Sequence, residues 1–240
     1  MRLYYLIWCF LFPSLLFSQG VEDKLIRHQV LPGFGFVLPV GKFSQIDPES
    51  NKSGYATLGA TFSLKYRYLL NENYGLSAEV GANLILRRSS EKYKSIDGSI
   101  LEFETFGSGI NSEMFSFLVG FLRHFHHNQF TFTVEPKLGV CKLNTREFEI
   151  YHQAYYNFEW QQFGPYDSEL AFISGLDLSA DYNIIENLKG GVRLFYLYSV
   201  VDLNPEVTIY KNRKLVFDDR MHRKQPVALI GLNIQVAFKF

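Results

Sequence analysis

Apolar and polar positions alternate along nearly the whole of this chain after its first twenty residues. The clearest stretch is Pro226 to Phe240. Ala228, Ile230, Leu232, Ile234, Val236, Phe238 and Phe240 are apolar, and the positions between them turn polar at Asn233, Gln235 and Lys239. A period of two places successive side chains on opposite faces of a strand. The same reading predicts eight strands, over 30–43, 55–69, 75–87, 113–125, 130–144, 169–183, 189–203 and 226–240. Each exceeds the roughly 9–11 residues that a tilted strand needs to cross a bilayer.

The connections alternate in length. Those at 70–74, 126–129 and 184–188 are tight and hold polar turn residues, whereas 44–54, 88–112, 145–168 and 204–225 are longer. Short turns at one end and long loops at the other are the organisation of a transmembrane β-barrel of the outer-membrane type. The predicted fold class is therefore all-β: an eight-stranded antiparallel up-and-down barrel, with both termini on the short-turn, periplasmic side. Within the long loops, Phe148, Ile150 and His152 alternate, as do Ile100 to Phe106 around Asp97-Gly98. Val207 and Ile209, and Leu215 and Phe217, flank the turn Lys211-Asn212-Arg213-Lys214 in the same way. These loops are expected to be β-hairpins that extend the barrel.

Met1 to Gly20 has a positive start at Arg2, an apolar run from Leu3 to Phe17 and small residues at Ser18 and Gly20. That is the pattern of a secretory leader, with cleavage expected between Ser18 and Gly20 and a barrel domain over 21–240. Removing Arg2 with the leader leaves 23 of the 24 basic residues against 24 acidic ones, a charge of minus one. No basic excess argues for nucleic acid. Cys141 is then the single cysteine, which excludes an internal disulfide. The 17% aromatic content fits a barrel with Phe and Tyr at two membrane interfaces.

The inward face collects Lys65, Arg67, Glu79, Glu135, Lys137, Asp177, Asp181 and Arg193. A soluble barrel of lipocalin type would carry such charges outside, because unpaired charges in a core cost too much. Pairing across 70–74 sets Lys65 opposite Glu79 and Arg67 opposite Ser77. Across 184–188, Arg193 falls opposite Ser179 and diagonal to Asp177 and Asp181. Across 126–129, Glu135 is expected to face Gly120. An eight-stranded barrel is just wide enough for side chains to fill, so these eight residues are expected to form a packed ion-pair network. Pro136 cannot donate to a ladder and predicts a bulge. Arg123 is expected outward near the short-turn end, with its charge reaching the interface.

Catalytic and metal chemistry find little support. His124, His126 and His127 bracket a turn without a ligand spacing of the zinc type. Cys141 reads as a small inward filler. Gly33, Gly35 and Gly41 alternate along an inward strand face and suit close packing. No His and Ser stand two residues apart, the spacing of lipid A deacylases. No catalytic residue, cofactor or metal is expected. Loop 145–168 is crowded with Tyr and Phe, and Tyr155, Tyr156 and Trp160 are its first candidates for contact with a glycan or protein. Arg213 and Lys214 are candidates for lipopolysaccharide phosphates.

The terminal strand closely resembles the last strand of bacterial outer-membrane barrels. That resemblance implies that Ile234, Val236, Phe238 and Phe240 are the signal read by the barrel assembly machinery. The chain as a whole resembles the OmpA/OmpX-type barrels. The leader end Leu16-Phe17-Ser18-Gln19 and the opening strand Gly35 to Phe43 (Gly-Phe-x-Leu-Pro-x-Gly-x-Phe) are similar to the porin-family "outer membrane protein β-barrel domain" proteins of Bacteroidota. The expectation is a monomeric outer-membrane barrel with a plugged polar interior and a structural or surface-recognition role, in contact with lipid and lipopolysaccharide. The alternatives are a narrow channel for small solutes, an accessory subunit of a secretion or uptake machine, and, further off, a lipid-modifying enzyme. Fold does not select among them.

Overall fold

The computed structural model describes residues 27–45, 56–87, 90–94, 100–104, 110–145, 148–154, 157–163, 166–185, 187–204, 206–211, 214–220 and 222–240. The leader Met1 to Gly20 lies outside them. Eight long strands make the body: β1 (His28–Val40), β2 (Ala56–Leu69), β3 (Tyr74–Arg87), β4 (Ile110–His127), β5 (Phe130–Thr145), β6 (Ala171–Ile185), β7 (Leu188–Leu203) and β8 (Arg223–Lys239). Each pairs antiparallel with its neighbour in sequence, and β8 also pairs with β1, so the sheet closes on itself. Closure removes the unpaired strand edges that an open sheet would leave.

The tight turns have local causes. Asn71 Oδ1 accepts from the backbone N–H of Asn73 and Tyr74, both at 2.9 Å. Asn128 takes a φ of 54°, a left-handed conformation that Asn tolerates, and the hairpin turn is the pair Asn128-Gln129. This corrects the third register. With His127 opposite Phe130, Gly120 faces Lys137 rather than Glu135. The shift is two residues, so the faces are unchanged, and the absent side chain of Gly120 still makes room for Glu135 as well as for Lys137 and Ser77. Lys65 does face Glu79, Arg67 faces Ser77, and Arg193 faces Ser179.

Two further expectations fail. Pro136 makes no bulge: the pairs Gly120–Lys137 and Arg123–Val134 on either side share one register. The ladder between β4 and β5 skips the two pairs between them, and firm pairing above and below holds the strand in line. Gly41 is not a strand residue either. Its φ of 63° ends β1 at Val40 and opens a short 3-10 turn, Gly41–Phe43, that swings Phe43 into the barrel mouth, where it is buried.

The two faces of the wall differ as membrane immersion requires. Outward stand Phe34, Phe36, Leu64, Val80, Phe117, Leu138, Leu178, Leu194 and Leu232, all exposed. An apolar belt of this extent is far beyond what a soluble surface carries. Rings gather at the short-turn end, where Phe130 meets Tyr182 at 5.2 Å and His28 stacks on Phe240 at 6.0 Å. Arg123 lies there on the outer face, its guanidinium 5.6 Å from the Tyr74 ring and 4.9 Å from that of Phe125.

The interior has two zones. Towards the short turns it is charged. Towards the long loops it is apolar, with Val37, Ile85, Met114, Leu118, Leu143, Ile173, Leu197, Val201 and Leu229 in one buried cluster. Phe195 marks the boundary: the Arg193 guanidinium sits 5.0 Å from its ring, and the ring occupies the space that a side chain at Gly231 would take. Gly139 is tighter still. A Cβ there would overlap the Phe117 carbonyl oxygen and stand 2.9 Å from Leu118 Cα, both backbone. Gly139→Ala should therefore force β4 and β5 apart and cost about 1–3 kcal/mol, the range for overpacking. Urea unfolding in detergent micelles measures this. An unmoved midpoint would mean that the wall spreads freely.

Candidate functional site

The charged zone is built from five strands. Inward positions two apart on β2 supply Lys65 and Arg67, β3 supplies Glu79, and β5 supplies Glu135 and Lys137. Asp177 and Asp181 come from β6, four residues apart and hence on one face, and Arg193 comes from β7. Lys65 Nζ lies 2.7 Å from Asp177, 2.9 Å from Glu135 and 3.5 Å from Glu79. Lys137 Nζ lies 2.8 Å from both Glu79 and Asp177. Arg193 Nη2 reaches Glu79 at 2.8 Å, and its Nε stands 2.6 Å from Asp177, an ion pair too bent to count as a hydrogen bond. Arg67 spans Glu135 and Asp181, at 3.4 Å each.

All eight residues expected in the interior network thus meet, four cations against four carboxylates. Neutral donors complete it: Ser77 Oγ donates to Glu135 at 2.7 Å, and Gln235 Nε2 donates to Asp181 at 2.7 Å. Burial of each ion costs several kcal/mol. A single pair at 4 Å recovers roughly 4 kcal/mol at an effective dielectric near 20. The contacts here are shorter, and each ion but Asp181, which has Arg67 and the neutral Gln235, has two or three of them, so the network sustains its charge.

That saturation also decides the metal question for this cluster. Oxygens of Glu79, Glu135 and Asp177 lie within 4.8 Å of one another, a spacing that a divalent cation could use. Lys65, Lys137 and Arg193 already occupy that space with positive charge. Two of the clustered histidines at the short-turn end are engaged too. His124 Nδ1 shares a hydrogen bond with Thr133 Oγ1 at 2.8 Å, and His126 Nε2 donates to the Glu72 carbonyl at 2.9 Å. Cys141 is buried, and its thiol donates to Ser199 Oγ at 3.3 Å.

At the long-loop end the hairpins are joined in a way that local pattern does not announce. Residues 148–154 pair with 157–163, and 206–211 pair with 214–220. The 157–163 strand pairs in turn with 206–211, so two loops far apart in sequence make one four-stranded antiparallel sheet. Val207 is buried in the apolar cluster of the mouth, with Ile209 and Phe217 packed against it, which fixes this sheet to the barrel. A separate hairpin pairs 90–94 with 100–104.

Of the predicted contact residues, Trp160 lies in the middle of this sheet, opposite Tyr151 on one side and Tyr210 on the other. Lys214 is exposed where the last strand begins. Tyr155, Tyr156 and Arg213 lie outside the described residues. Ile234, Phe238 and Phe240 face outward on or just after β8, with Val236 partly covered. The backbone N–H of Phe240 donates to the His28 carbonyl at 3.0 Å.

Sequence reasoning missed the apolar half of the interior. Its signal was present in β7 and β8, where Leu-Phe-Tyr-Leu-Tyr-Ser-Val-Val (194–201) and Val-Ala-Leu-Ile-Gly-Leu (227–232) are apolar on both parities. A strand apolar on both faces is buried on both or buried on one and in lipid on the other.

No protein-family model and no curated protein matches this chain. Solved structures do. Neisserial surface protein A superposes with a TM-score of 0.53 at 9% identity, over 89% of this chain and 97% of its own. The attachment invasion locus protein Ail of Yersinia pestis and a major outer membrane protein from Thermus thermophilus give 0.41 and 0.43. Both are 12% identical and match over 89% of this chain and 99% of theirs. At such identities the likeness is one of fold, and the first superposition carries it: this is a closed eight-stranded barrel of the outer-membrane type.

The network yields a direct test. Lys65→Met strips a shared cation from three buried carboxylates and should destabilise the barrel by about 3–5 kcal/mol. Adding Glu135→Gln should restore part of that. Equilibrium unfolding in urea, read by the gel shift between unheated and boiled samples, decides. A loss below about 1 kcal/mol would match exposed pairs and indicate a hydrated interior.

Proposed function

We propose that this chain is an integral protein of a bacterial outer membrane whose sealed barrel holds up a sheet used for recognition at the cell surface. The observation that carries the reading is the four-stranded sheet made from the 145–168 and 204–225 loops and fixed to the mouth through Val207. Loops on a rigid frame are where recognition usually sits, and two loops knit into one sheet offer a binding partner a surface with little freedom left to lose. The exposed apolar belt and the ring clusters at the short-turn end support membrane residence with the long loops outside. The leader Met1 to Gly20 supports export, and the opening strand Gly35 to Phe43 supports a Bacteroidota-like relative.

A structural or recognition role is favoured over a solute channel because both zones of the interior are filled, one by paired ions and one by aliphatic side chains. It is favoured over an enzyme because the buried carboxylates are neutralised by their neighbours. The partner is a glycan or protein met through Tyr155, Tyr156 and Trp160, with Arg213 and Lys214 on lipopolysaccharide phosphate. An accessory place in a secretion or uptake machine uses the same surface. Ile234, Val236, Phe238 and Phe240 present the strand read by the assembly machinery.

Two outcomes are expected. Purified protein in planar bilayers gives no large, stable conductance steps, and their appearance would restore the channel. Replacing Tyr155, Tyr156 and Trp160 by Ser leaves the heat-modifiable barrel intact and abolishes partner capture in a pull-down from intact outer membrane. A triple variant that folds and keeps every partner would move the binding surface elsewhere.

A further inference from the structure

The outer wall of the barrel is not evenly covered by its side chains. A depression of about 630 Å³ crosses β8, β1, β2 and β3 on the face assigned above to lipid. One bank is the cross-strand row Ile234, Phe34, Phe62 and Ala82. The other is Pro32, Leu64 and Val80, with Val236 at the β8 end. Between them run Gly33, Ser63 and Gly81, a paired row of inward positions, so the floor is bare backbone.

The dimensions follow from the pairing. Banks two residues apart along a strand are about 7 Å apart, and three strand spacings give a length of about 14 Å. The trough is thus long and narrow. Its banks are hydrocarbon throughout, and the Ser63 hydroxyl is turned inward, where it accepts from Arg193 Nη1 at 3.2 Å. A polar headgroup would find nothing to bond. The flat wall of a second barrel would rest on the projecting rings of Phe34 and Phe62, 59% and 52% exposed, without reaching the floor. A gap left beneath them forfeits dispersion contacts on both banks.

We propose that this trough seats one acyl chain of a glycerophospholipid, held in order while the lipid around the rest of the barrel exchanges. The proposal rests on the membrane reading. The β8 end, at Val236, lies nearer the short-turn rim than the β3 end at Ala82, so the trough climbs obliquely from that rim. That direction suits a chain whose headgroup sits in the leaflet on the short-turn side.

The full chain, reconstituted in phosphatidylethanolamine–phosphatidylglycerol vesicles doped with phosphatidylethanolamine bearing a diazirine on one acyl chain, provides the test. After irradiation, peptides holding Phe34, Phe62 and Val80 should be labelled several-fold more than those holding Phe132 and Leu178 on the β5 and β6 wall. Ala82→Phe fills the trough from its lipid side and should bring labelling down to the level of that wall, with the heat-modifiable shift kept. Val80→Trp serves the same purpose if Ala82→Phe does not fold. Even labelling of both walls, or enrichment unchanged in a folded filled variant, overturns the seat and leaves the membrane reading standing. Protein–protein adducts on this face in place of lipid adducts also overturn it. Labelling of neither wall sinks the seat and the membrane reading together.

Discussion

The interior charges can be matched only when the barrel is closed. Lys65 on β2 reaches Asp177 on β6, and Arg193 on β7 reaches Glu79 on β3; neither pair lies on adjacent strands. Adjacent strands alone would supply Lys65 with Glu79, and Asp177 with Arg193 and Lys137, but would leave Arg67 and Glu135 without a partner of opposite charge. Each of the eight ions therefore gains at least one partner from a strand that is not its neighbour in the wall. Pairing across the space, rather than along the wall, ties the cross-section of the barrel to its charge balance. A ninth strand would open distances that side chains of this length could not span, and a missing one would leave too little room for them.

This requirement explains why the interior divides as it does. Long cations and carboxylates fill the width at the short-turn end by reaching towards one another. At the long-loop end the same width is filled by Phe43 and Phe195 and by aliphatic side chains from most of the strands. Arg193 beneath the Phe195 ring lets one zone pass into the other without an unpaired cation at the seam. The glycines serve the same end locally, since Gly120 leaves space for Lys137 and Glu135, and Gly231 for the Phe195 ring.

How much of this was legible depended on whether its signal was local. The strands could be read because outward Leu and Phe alternate with inward Lys, Glu and Thr, and two registers followed from short turns. The third was offset because Asn128 permits a tighter turn than the polar run His126 to Gln129 suggests. Pro136 misled because a rule drawn from its missing donor ignores how firmly the pairs on either side hold the strand. The apolar upper chamber escaped because alternation is a difference between faces, and it vanishes when lipid lies on one side and Val201 or Leu229 on the other. The union of 157–163 with 206–211 escaped for another reason. Nothing within either loop encodes a partner some fifty residues away.

As far as Ile209 the hairpin 206–220 keeps the register of the β7–β8 ladder, and it shifts only between Ile209 and Tyr210, near the tip. Leu203 faces Arg223, Glu206 faces Arg220, and the same alignment runs on both sides of the break. The hairpin is thus a mechanical extension of two strands that cross the whole wall. A partner that tugs on it along the strand direction loads in shear the ladders that β7 makes with β6 and β8 makes with β1, with many hydrogen bonds strained together rather than opened one at a time. The same strands anchor the buried Arg193 and Gln235, so the pull is borne by the densest part of the core. A tether of this geometry resists detachment by force better than its binding affinity alone would suggest.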